Sequence, residues 1–284
     1  MSRNVKDKNK YKEIKDLRLK LKKEKDPRQA SLKLIINSTF GILLDKYSPM
    51  YDPRQARRIC IYNQLFMLDL AEKIEDKLGD RAFLFNANTD GEYFKFKDEN
   101  ALKECIEVIN EWSERTGYVM EIDLAKKVVQ KDCNNYILTL DNGKVKTKGS
   151  MVKKTTPIDN DLPIINKAVR EYYINGISVE ETINNCNDLI EFQKVYKITS
   201  NYKYAIHNNK PLANKVNRVF ASKDENDTAI YKLKKDKENA DLFAGTPEHC
   251  FIDNGDIRNK TVPDNLDKQW YIDLANKRIK MFTK

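Results

Sequence analysis

Apolar positions at helical spacing predict that the chain begins with two helices. The first is expected over residues 8–25, with an apolar stripe of Tyr11, Ile14, Leu17 and Leu21 among lysines. Asp26 ends it, because the residue before a proline avoids the helical conformation, and Pro27 suits the first turn of the next helix. The second helix is expected over residues 28–44, with an apolar face of Leu32, Ile35 and Ile36. The pattern therefore predicts two antiparallel helices joined by a short turn.

A longer apolar stripe follows and leads into a hairpin. The spacing predicts a helix from about Gln55 to Leu78, whose buried stripe is expected to comprise Ile59, Tyr62, Phe66, Leu70 and Ile74. Residues 83–97, FLFNANTDGEYFKFK, change from an apolar run to a polar corner and then to an alternating segment, which is typical of a β-hairpin. Asp98 is expected to cap a further helix that ends near Gly117.

Strand signals give way to helix signals in the second half of the chain. Residues 118–123 predict a strand, and residues 134–149 predict a hairpin around the turn signal Asp141-Asn142-Gly143. A polar, irregular stretch is expected from about residue 199 to 216. Helices are expected over residues 162–176, 178–194 and 267–282. The pattern indicates a mixed helix and sheet core followed by a largely helical C-terminal domain.

Composition places the chain among globular proteins with a heavily charged surface. Hydrophobic residues make up 40% and charged residues 33% of the 284 positions, and no apolar run approaches the length of a membrane span. No secretory signal is recognisable, and the five cysteines are spaced too widely for a disulfide framework or a zinc knuckle. We therefore expect free thiols, no membrane partner and a cytoplasmic location (the host cytoplasm if the protein is viral).

The net charge of +9 is concentrated at one end of the chain. Residues 1–25 contain eleven Lys or Arg and four Asp or Glu, so +7 of the total lies there. A positive surface binds phosphates because it releases counterions from nucleic acid. A solvated helix explains the same charge equally well, so both interpretations stay open.

Two segments carry side chains suited to nucleotide chemistry. Lys33, Asn37, Phe40 and Gly41 follow one another at helical spacing and share one helix face. A lysine suits a polyphosphate, and an aromatic ring beside a glycine leaves a surface on which a sugar can pack. On geometry alone, an ordinary amphipathic helix with a polar side is the simpler interpretation. At the tip of the expected hairpin, Asp90 is either a turn former or a ligand for Mg²⁺, which takes oxygen donors.

The first of these segments resembles motif B of family B DNA polymerases. The matching pairs are Arg28-Gln29, Leu32-Lys33, Asn37-Ser38 and Phe40-Gly41, with phenylalanine where the family usually has tyrosine. The resemblance implies that Lys33 contacts the triphosphate of the incoming nucleotide and acts in catalysis. It also implies that Asn37 and Gly41 line the nucleotide pocket, and that Phe40 lies under the deoxyribose and excludes ribose.

The hairpin turn resembles motif C of the same family, which usually reads DTDS between two strands. Here it reads Asn88-Thr89-Asp90-Gly91, similar to a form found in some phage-like members. The resemblance implies that Asp90 is a catalytic residue that ligates Mg²⁺, with Thr89 beside the nucleotide. Asn88 replaces the family's first aspartate, and we do not assign it to the metal because an amide is a poor substitute for a carboxylate.

Residues 130–149 resemble the segment in which the family carries a KxY-like motif that holds primer and template. The candidate DNA-binding residues are Lys131, Asn134, Asn135, Tyr136 and Lys148. Lysine and amide side chains suit phosphate contacts that position a duplex without reading its sequence. The alternative is a basic edge hairpin, on which lysines discourage the addition of another strand.

The resemblance extends over nearly the whole chain and implies an α+β fold with three domains. Residues 1–36 would be fingers helices, residues 37–151 the C-terminal part of an antiparallel palm, and residues 152–284 a mainly helical thumb. The implied partners are primer-template DNA and dNTPs, and the implied cofactor is Mg²⁺ in a two-metal site. His207 and His249 are expected to be structural or surface residues, since neither has a catalytic partner in the sequence.

The family's first palm aspartate, in a DxxSLYPS motif, has no counterpart among these residues. Asp90 alone cannot hold two ions, so we expect the second carboxylate from an upstream polypeptide that carries this motif, with or without the exonuclease domain. This hypothesis of a split polymerase predicts exposed apolar palm surface on the chain. The alternative is a non-catalytic DNA-binding remnant or accessory protein, which the replacement by Asn88 favours.

Overall fold

The computed structural model describes residues 9–88, 91–149, 152 and 160–282, which belong to two compact units. Unit 1 is Met1–Glu121 and unit 2 is Ile122–Lys284. Each unit has its own hydrophobic core. The three-domain division inferred from the family resemblance stays a prediction.

Unit 1 combines helices with one β-hairpin. Its described elements are α1 (Asn9–Lys23), α2 (Gln29–Leu44), α3 (Pro53–Leu78), β1 (Ala82–Asn88), β2 (Gly91–Phe96) and α4 (Glu99–Thr116), with a 3₁₀ turn at Gly79–Arg81. The helix pair, the long helix, the hairpin and the helix after Asp98 are thus confirmed in type and position.

Carboxylates fix the starts of these helices. Asp52 accepts a hydrogen bond from the backbone N–H of Gln55 at 3.1 Å, and Asp98 accepts one from Ala101 at 2.7 Å, so α3 and α4 are both capped. The turn before α2 is held by Asp26, whose carboxylate accepts hydrogen bonds from the guanidinium and the backbone N–H of Arg28. The guanidinium hydrogen bond is the main reason that the pKa of Asp26 is lowered.

The core of unit 1 packs the second half of α3 against α4 and one face of the hairpin. Trp112 of α4 is only 1% exposed, and its Nε1 donates to the Asp69 carboxylate of α3 at 2.8 Å. Arg115 donates to the same carboxylate. The buried members of this core are Leu70, Ile74, Leu78, Ala101, Cys105, Val108 and Trp112, and Phe94 and Phe96 of β2 pack against them.

The buried stripe predicted for α3 is correct only in its second half. Leu70 and Ile74 are buried, but Ile59 is 36% and Tyr62 58% exposed. Ile35 of α2, expected on a buried face, is 50% exposed. Periodicity shows that a helix has an apolar face, but it does not show whether a neighbour covers that face.

Further large apolar side chains of unit 1 are open to solvent. Ile61, Leu65 and Leu68 recur at helical spacing along α3 and are 53%, 54% and 53% exposed. On β1, Phe83 is 65% and Leu84 39% exposed. Scattered exposed apolar residues are normal, but a helix stripe of this kind marks a surface that a partner can cover.

Unit 2 contains three antiparallel sheets and three helices in its described part. The sheet strands are β3 (Ala125–Asp132), β4 (Asn135–Leu140), β5 (Val145–Lys148), β6 (Lys194–Lys197), β7 (Tyr202–His207), β8 (Lys210–Pro211), β9 (Val216–Ala221), β10 (Tyr231–Lys234), β11 (Asp241–Leu242) and β12 (Cys250–Ile252). The helices are α5 (Pro163–Asn175), α6 (Val179–Asn184) and α7 (Lys268–Phe282), with a 3₁₀ turn at Leu189–Phe192. The sheet orders are β3-β4-β5, β12-β9-β6 and β11-β10-β7-β8.

The α+β class is confirmed, but the second half contains more strand than predicted. The hairpin around Asp141-Asn142-Gly143 is present as β4 and β5. The strand expected over residues 118–123 is wrong, since β3 begins only at Ala125. The expectation of a mainly helical C-terminal region is also wrong for residues 194–252, which form β6 to β12.

Five of the seven strands that were missed have four residues or fewer, which is too short for a clear alternating signal. Between β7 and β8 the reversal is made by Asn208 and Asn209, whose φ angles are 48° and 57°. Two consecutive residues with positive φ form the tight hairpin turn that matches strand twist, and asparagine tolerates this conformation. An Asn-Asn pair is a weaker turn signal than Asn-Gly, so the sequence suggested an irregular stretch.

The core of unit 2 joins α5, α7 and the β12-β9-β6 sheet. Tyr271 of α7 is fully buried, and its hydroxyl oxygen accepts a hydrogen bond from the backbone N–H of Ala221 at 3.1 Å. Both histidines bind backbone carbonyls, His207 that of Cys250 at 2.6 Å and His249 that of Asp227 at 2.8 Å. These contacts agree with the structural role predicted for the histidines.

None of the helices in the described ranges has the length and apolar character needed to cross a membrane.

We expect Asp69→Ala to lower the free energy of unfolding of unit 1 by about 1–3 kcal/mol, because it leaves the buried indole N–H of Trp112 unpaired. The chain has two tryptophans, so Trp112 fluorescence in a Trp270→Phe background reports urea unfolding of unit 1. The matched control is Asp76→Ala, which removes an exposed carboxylate from the same helix and should change stability by less than about 0.5 kcal/mol. Equal effects of the two substitutions would contradict a stabilising role for the hydrogen bond between Trp112 and Asp69.

Candidate nucleotide and metal site

The four residues predicted for the nucleotide pocket lie on α2 as one uninterrupted helix, Gln29–Leu44. Lys33, Asn37 and Gly41 are exposed, and Phe40 is partly buried. A Cβ added to Gly41 would meet no atom within 4 Å. The predicted face is therefore open to solvent and leaves room for a ligand against the glycine.

Two cations of this helix, Arg28 and Lys33, differ in whether they are available to bind an external anion. Arg28 is held at the start of α2 by its ion pair with Asp26, 2.7 Å between guanidinium nitrogen and carboxylate oxygen. Within the ranges that the structure describes, Lys33 makes no ion pair, and its side chain is exposed. Because no described carboxylate neutralises the Lys33 ammonium, this side chain can bind an external phosphate, whereas Arg28 is already paired.

The β1–β2 hairpin fixes the positions on either side of the predicted metal ligand. Asn88 pairs with Gly91 as the last partners before the turn. Thr89 and Asp90 lie outside the described residues, so their predicted roles stay predictions. A Cβ at Gly91 would lie 3.7 Å from Oδ1 of Asn88, an ordinary contact, so the serine usual at this position would fit the same backbone.

No group of three or more His, Cys, Asp or Glu that could hold a metal ion occurs among the residues described. The carboxylate of β2 is that of Glu92, two positions after Asp90 in the sequence. Glu92 pairs with Ala87 and lies two residues before Phe94, which packs into the core of unit 1. Because side chains alternate along a strand, Glu92 points to the core, as Phe94 does.

Glu92 is a buried acid that our sequence analysis did not identify. Its Oε2 atom is buried and has no hydrogen-bond partner in the described part of the chain. Burial raises the pKa of Glu92 to about 7. Burial, together with the nearby Glu92 charge, also raises the pKa of the Cys105 thiol to about 11. The signal in the sequence was the alternation itself, which places Glu92 in phase with Phe94 and Phe96.

The predicted DNA-binding residues of unit 2 gather at one end of the β3-β4-β5 sheet. The turn between β3 and β4 is organised by Asp132, which accepts hydrogen bonds from the backbone N–H of Asn134 at 2.9 Å and the side-chain amide of Asn135 at 3.0 Å. Hydrogen bonds from Asn135 and Asn134 lower the pKa of Asp132. The Lys131 ammonium lies 3.6 Å from the same carboxylate. The Asn135 amide therefore stabilises the turn between β3 and β4, independently of the DNA contact predicted for it.

The remaining two candidates pair across β4 and β5. Tyr136 is 8% exposed and lies opposite Lys148, whose Nζ is 5.9 Å from the centroid of the tyrosine ring. The next residue, Gly149, has a φ of 100°, and a Cβ there would lie 2.2 Å from Oδ1 of Asn135. A glycine is thus needed for the end of β5 to approach the β3–β4 turn. The five residues are brought together, and DNA binding by them stays a prediction.

No protein-family model matches the chain, and no curated protein matches it. Among solved structures, it is similar to the family B DNA polymerase from the hyperthermophilic archaeon Pyrobaculum calidifontis, with a TM-score of 0.54 and 15% sequence identity. The match covers 96% of this chain and 37% of the polymerase, so the chain spans little more than a third of that protein's length. The likeness shows a distant polymerase-like fold.

We expect Glu92→Gln to stabilise unit 1 at neutral and higher pH. The folded-state pKa of about 7 exceeds the ordinary glutamate pKa of 4.5, so between these values the folded chain keeps a proton that the unfolded chain has released. The free energy of unfolding therefore falls as pH rises through this window. The glutamine of the variant does not ionise, so the variant does not lose this stability. At about pH 8 the gain should be on the order of 1–3 kcal/mol, and at about pH 4 it should vanish.

The measurement is urea unfolding followed by Trp112 fluorescence at both pH values. Glu107→Gln, which neutralises an exposed glutamate of α4, is the matched control and should show no such dependence on pH. A gain from Glu92→Gln of equal size at both pH values would contradict the buried, ionised state of Glu92 above its pKa.

Proposed function

We propose that the chain is a C-terminal portion of a family B-like DNA polymerase that contributes to template-directed addition of dNTPs. The observation that carries the proposal is the open face of α2. It presents Lys33, Asn37, Phe40 and Gly41 together on one helix, in a fold similar to that of a family B DNA polymerase. A protein that only binds duplex DNA needs a positive surface. It does not need a lysine, an aromatic ring and a glycine arranged along one helix face.

In the proposed reaction the primer 3′-hydroxyl attacks the α-phosphate of a dNTP, and pyrophosphate leaves. Lys33 would neutralise the triphosphate, while Asn37 and Phe40 would position the sugar and base. Phe40 would exclude ribose by contact with the position of its 2′-hydroxyl. Mg²⁺ bound at Asp90 would supply further positive charge at the phosphates. The contribution of the chain is therefore positioning and charge neutralisation.

We further propose that an upstream polypeptide, which carries the first palm aspartate, completes the site. The hairpin supports this proposal, because β1 pairs only with β2 in the described residues, and a two-stranded sheet is marginally stable by itself. The outer edge of β1 has backbone groups available for another strand. The exposed apolar side chains of α3 and β1, such as Leu65 and Phe83, would be buried by the same partner.

A DNA-binding remnant without activity is the second candidate. Asn88 favours it, because an amide occupies the position at which the family has an aspartate. In that case the basic helix α1 and the basic turn of unit 2 would bind DNA, while the α2 face would have no function. The two candidates differ in the response to changes at Asp90 and Phe40.

If the chain is catalytic, Asp90→Ala should reduce primer extension by the assembled enzyme about 100-fold or more, because the loss of a metal ligand removes transition-state stabilisation. Binding of primer-template DNA, measured by fluorescence anisotropy, should be unchanged or tighter, since a negative charge is removed. Asp80→Ala is the control, as it removes an exposed carboxylate at the other end of β1. Full extension by the Asp90 variant would exclude the assigned role.

Phe40→Ala should raise the use of ribonucleotides relative to deoxyribonucleotides by about 10- to 100-fold, because the ring no longer blocks the 2′-hydroxyl. Phe40→Tyr, which keeps the ring, should preserve the discrimination. Single-nucleotide incorporation with matched dNTP and rNTP gives both rates. An unchanged ratio in the alanine variant would show that Phe40 does not lie under the sugar.

A further inference from the structure

The exposed side of α3 carries charges of opposite sign at its two ends. Exposed arginines lie in the first two turns and exposed acidic residues in the last two: Arg54, Arg57 and Arg58, then Glu72, Glu75 and Asp76. In the part of the chain that the structure describes, none of these six side chains forms an ion pair, whereas Asp69 between them is paired with Lys73. Both ends of the helix therefore keep charge that an external partner can neutralise.

The apolar stripe of α3 lies between these two groups of charges. Ile61, Leu65 and Leu68 are each more than half exposed. At 100° per residue, the side chains within about 60° of Leu65 around the helix axis include those of Arg54, Arg58, Ile61, Leu68, Glu72 and Asp76. One continuous face of α3 therefore changes from basic to apolar and then to acidic along the helix.

This order of charges does not stabilise α3 as a single helix. The helix dipole favours acidic residues near the start of a helix and basic residues near its end. The first turn of α3 contains Arg54 and no acidic residue, and the last turn contains Glu75 and Asp76 beside Lys77. The order of charges is therefore better explained by a partner than by the stability of the helix.

A second copy of α3 in the antiparallel direction has the complementary order of charges. Arg54 and Asp76 each lie eleven residues from Leu65, and Arg58 and Glu72 each lie seven residues from it. With a twofold axis beside Leu65, Arg54 of one copy faces Asp76 of the other, and Arg58 faces Glu72. The symmetric contact forms four pairs of opposite charges and buries the apolar stripe of one copy against that of the other.

A nucleic acid is less suited to this face. The arginines would attract phosphates, but the acidic end of the same face would repel them, and phosphates would not bury Ile61 or Leu65. Burial of apolar side chains against other apolar side chains is the main favourable contribution to protein association. The face is therefore suited to a protein helix, and the chain itself contains a complementary one.

We propose that α3 binds α3 of a second copy of this chain in an antiparallel dimer with twofold symmetry. The dimer does not rest on the proposed function, because it requires this chain alone. If that function also holds, the second copy covers Leu65 in the isolated chain, and the upstream polypeptide displaces it when the enzyme assembles.

The test uses full-length chains in which the charges at one end of the face are reversed. The acidic variant has Arg54→Glu with Arg58→Glu, and the basic variant has Glu72→Arg with Asp76→Arg. Each variant carries like charges at both ends of the face, so its dimer dissociation constant in sedimentation velocity should rise by roughly tenfold or more. An equimolar mixture of the two variants should form a dimer again, because all four pairs then have opposite charges.

Two further variants test the contact without depending on these charges. Glu107→Arg with Glu111→Arg reverses two exposed charges on α4, and this matched control should leave the dimer unchanged. Leu65→Glu should weaken the dimer, because the new carboxylate would meet its own counterpart beside the twofold axis. Circular dichroism verifies that each variant stays folded, and dimer formation in the mixture shows the same for the acidic and basic variants.

The proposal is overturned if the unchanged chain is monomeric at every concentration, or if the acidic and basic variants do not associate with each other. Dimers that persist in both variants would place the interface elsewhere on the chain and overturn it as well. A monomeric unchanged chain whose assembly with the upstream polypeptide is lost on Leu65→Glu would assign the face to that polypeptide instead.

Discussion

The packing of one hairpin face against α3 and α4 is the interaction on which the candidate metal site depends. Two strands alone are marginally stable, so the pairing of β1 with β2 needs apolar support from the rest of unit 1. Phe94 and Phe96 of β2 make this contact, since both pack against the buried core formed by α3 and α4. With the hairpin held in this way, the pairing of Asn88 with Gly91 is set on either side of the predicted ligand.

The same packing buries one side of α3 and leaves apolar side chains on another side of this helix exposed. The core covers one side of the second half of α3, while Ile61, Leu65 and Leu68 remain exposed. In the part of the chain that the structure describes, no strand other than β2 pairs with β1. A self-sufficient domain of this size would normally bury such a stripe. The proposed upstream polypeptide explains both features at once, because one added strand would pair with β1 and bring apolar residues over α3.

Local signals in the sequence predicted the parts of the fold that depend on local chemistry. The capped helices after Asp52 and Asp98, the Asp141-Asn142-Gly143 hairpin and the common helix of Lys33 and Phe40 were predictable because the residues that form them lie close together in sequence. The exposure of Tyr62 could not be predicted, because it depends on which element covers α3. The role of Asn135 in its turn also depends on its hydrogen bond to Asp132, and most of the strands after residue 194 are too short to give a clear pattern.

Primer extension with Mg²⁺ and dNTPs, by the chain alone and together with a co-expressed upstream polypeptide that carries the first palm aspartate, tests the proposed function most directly. We expect no extension by the chain alone and template-dependent extension by the assembled pair, since two metal ions need carboxylates from both. Absence of extension from a stable, stoichiometric complex, with salt-sensitive binding of primer-template DNA retained, would contradict a catalytic role and leave a DNA-binding remnant.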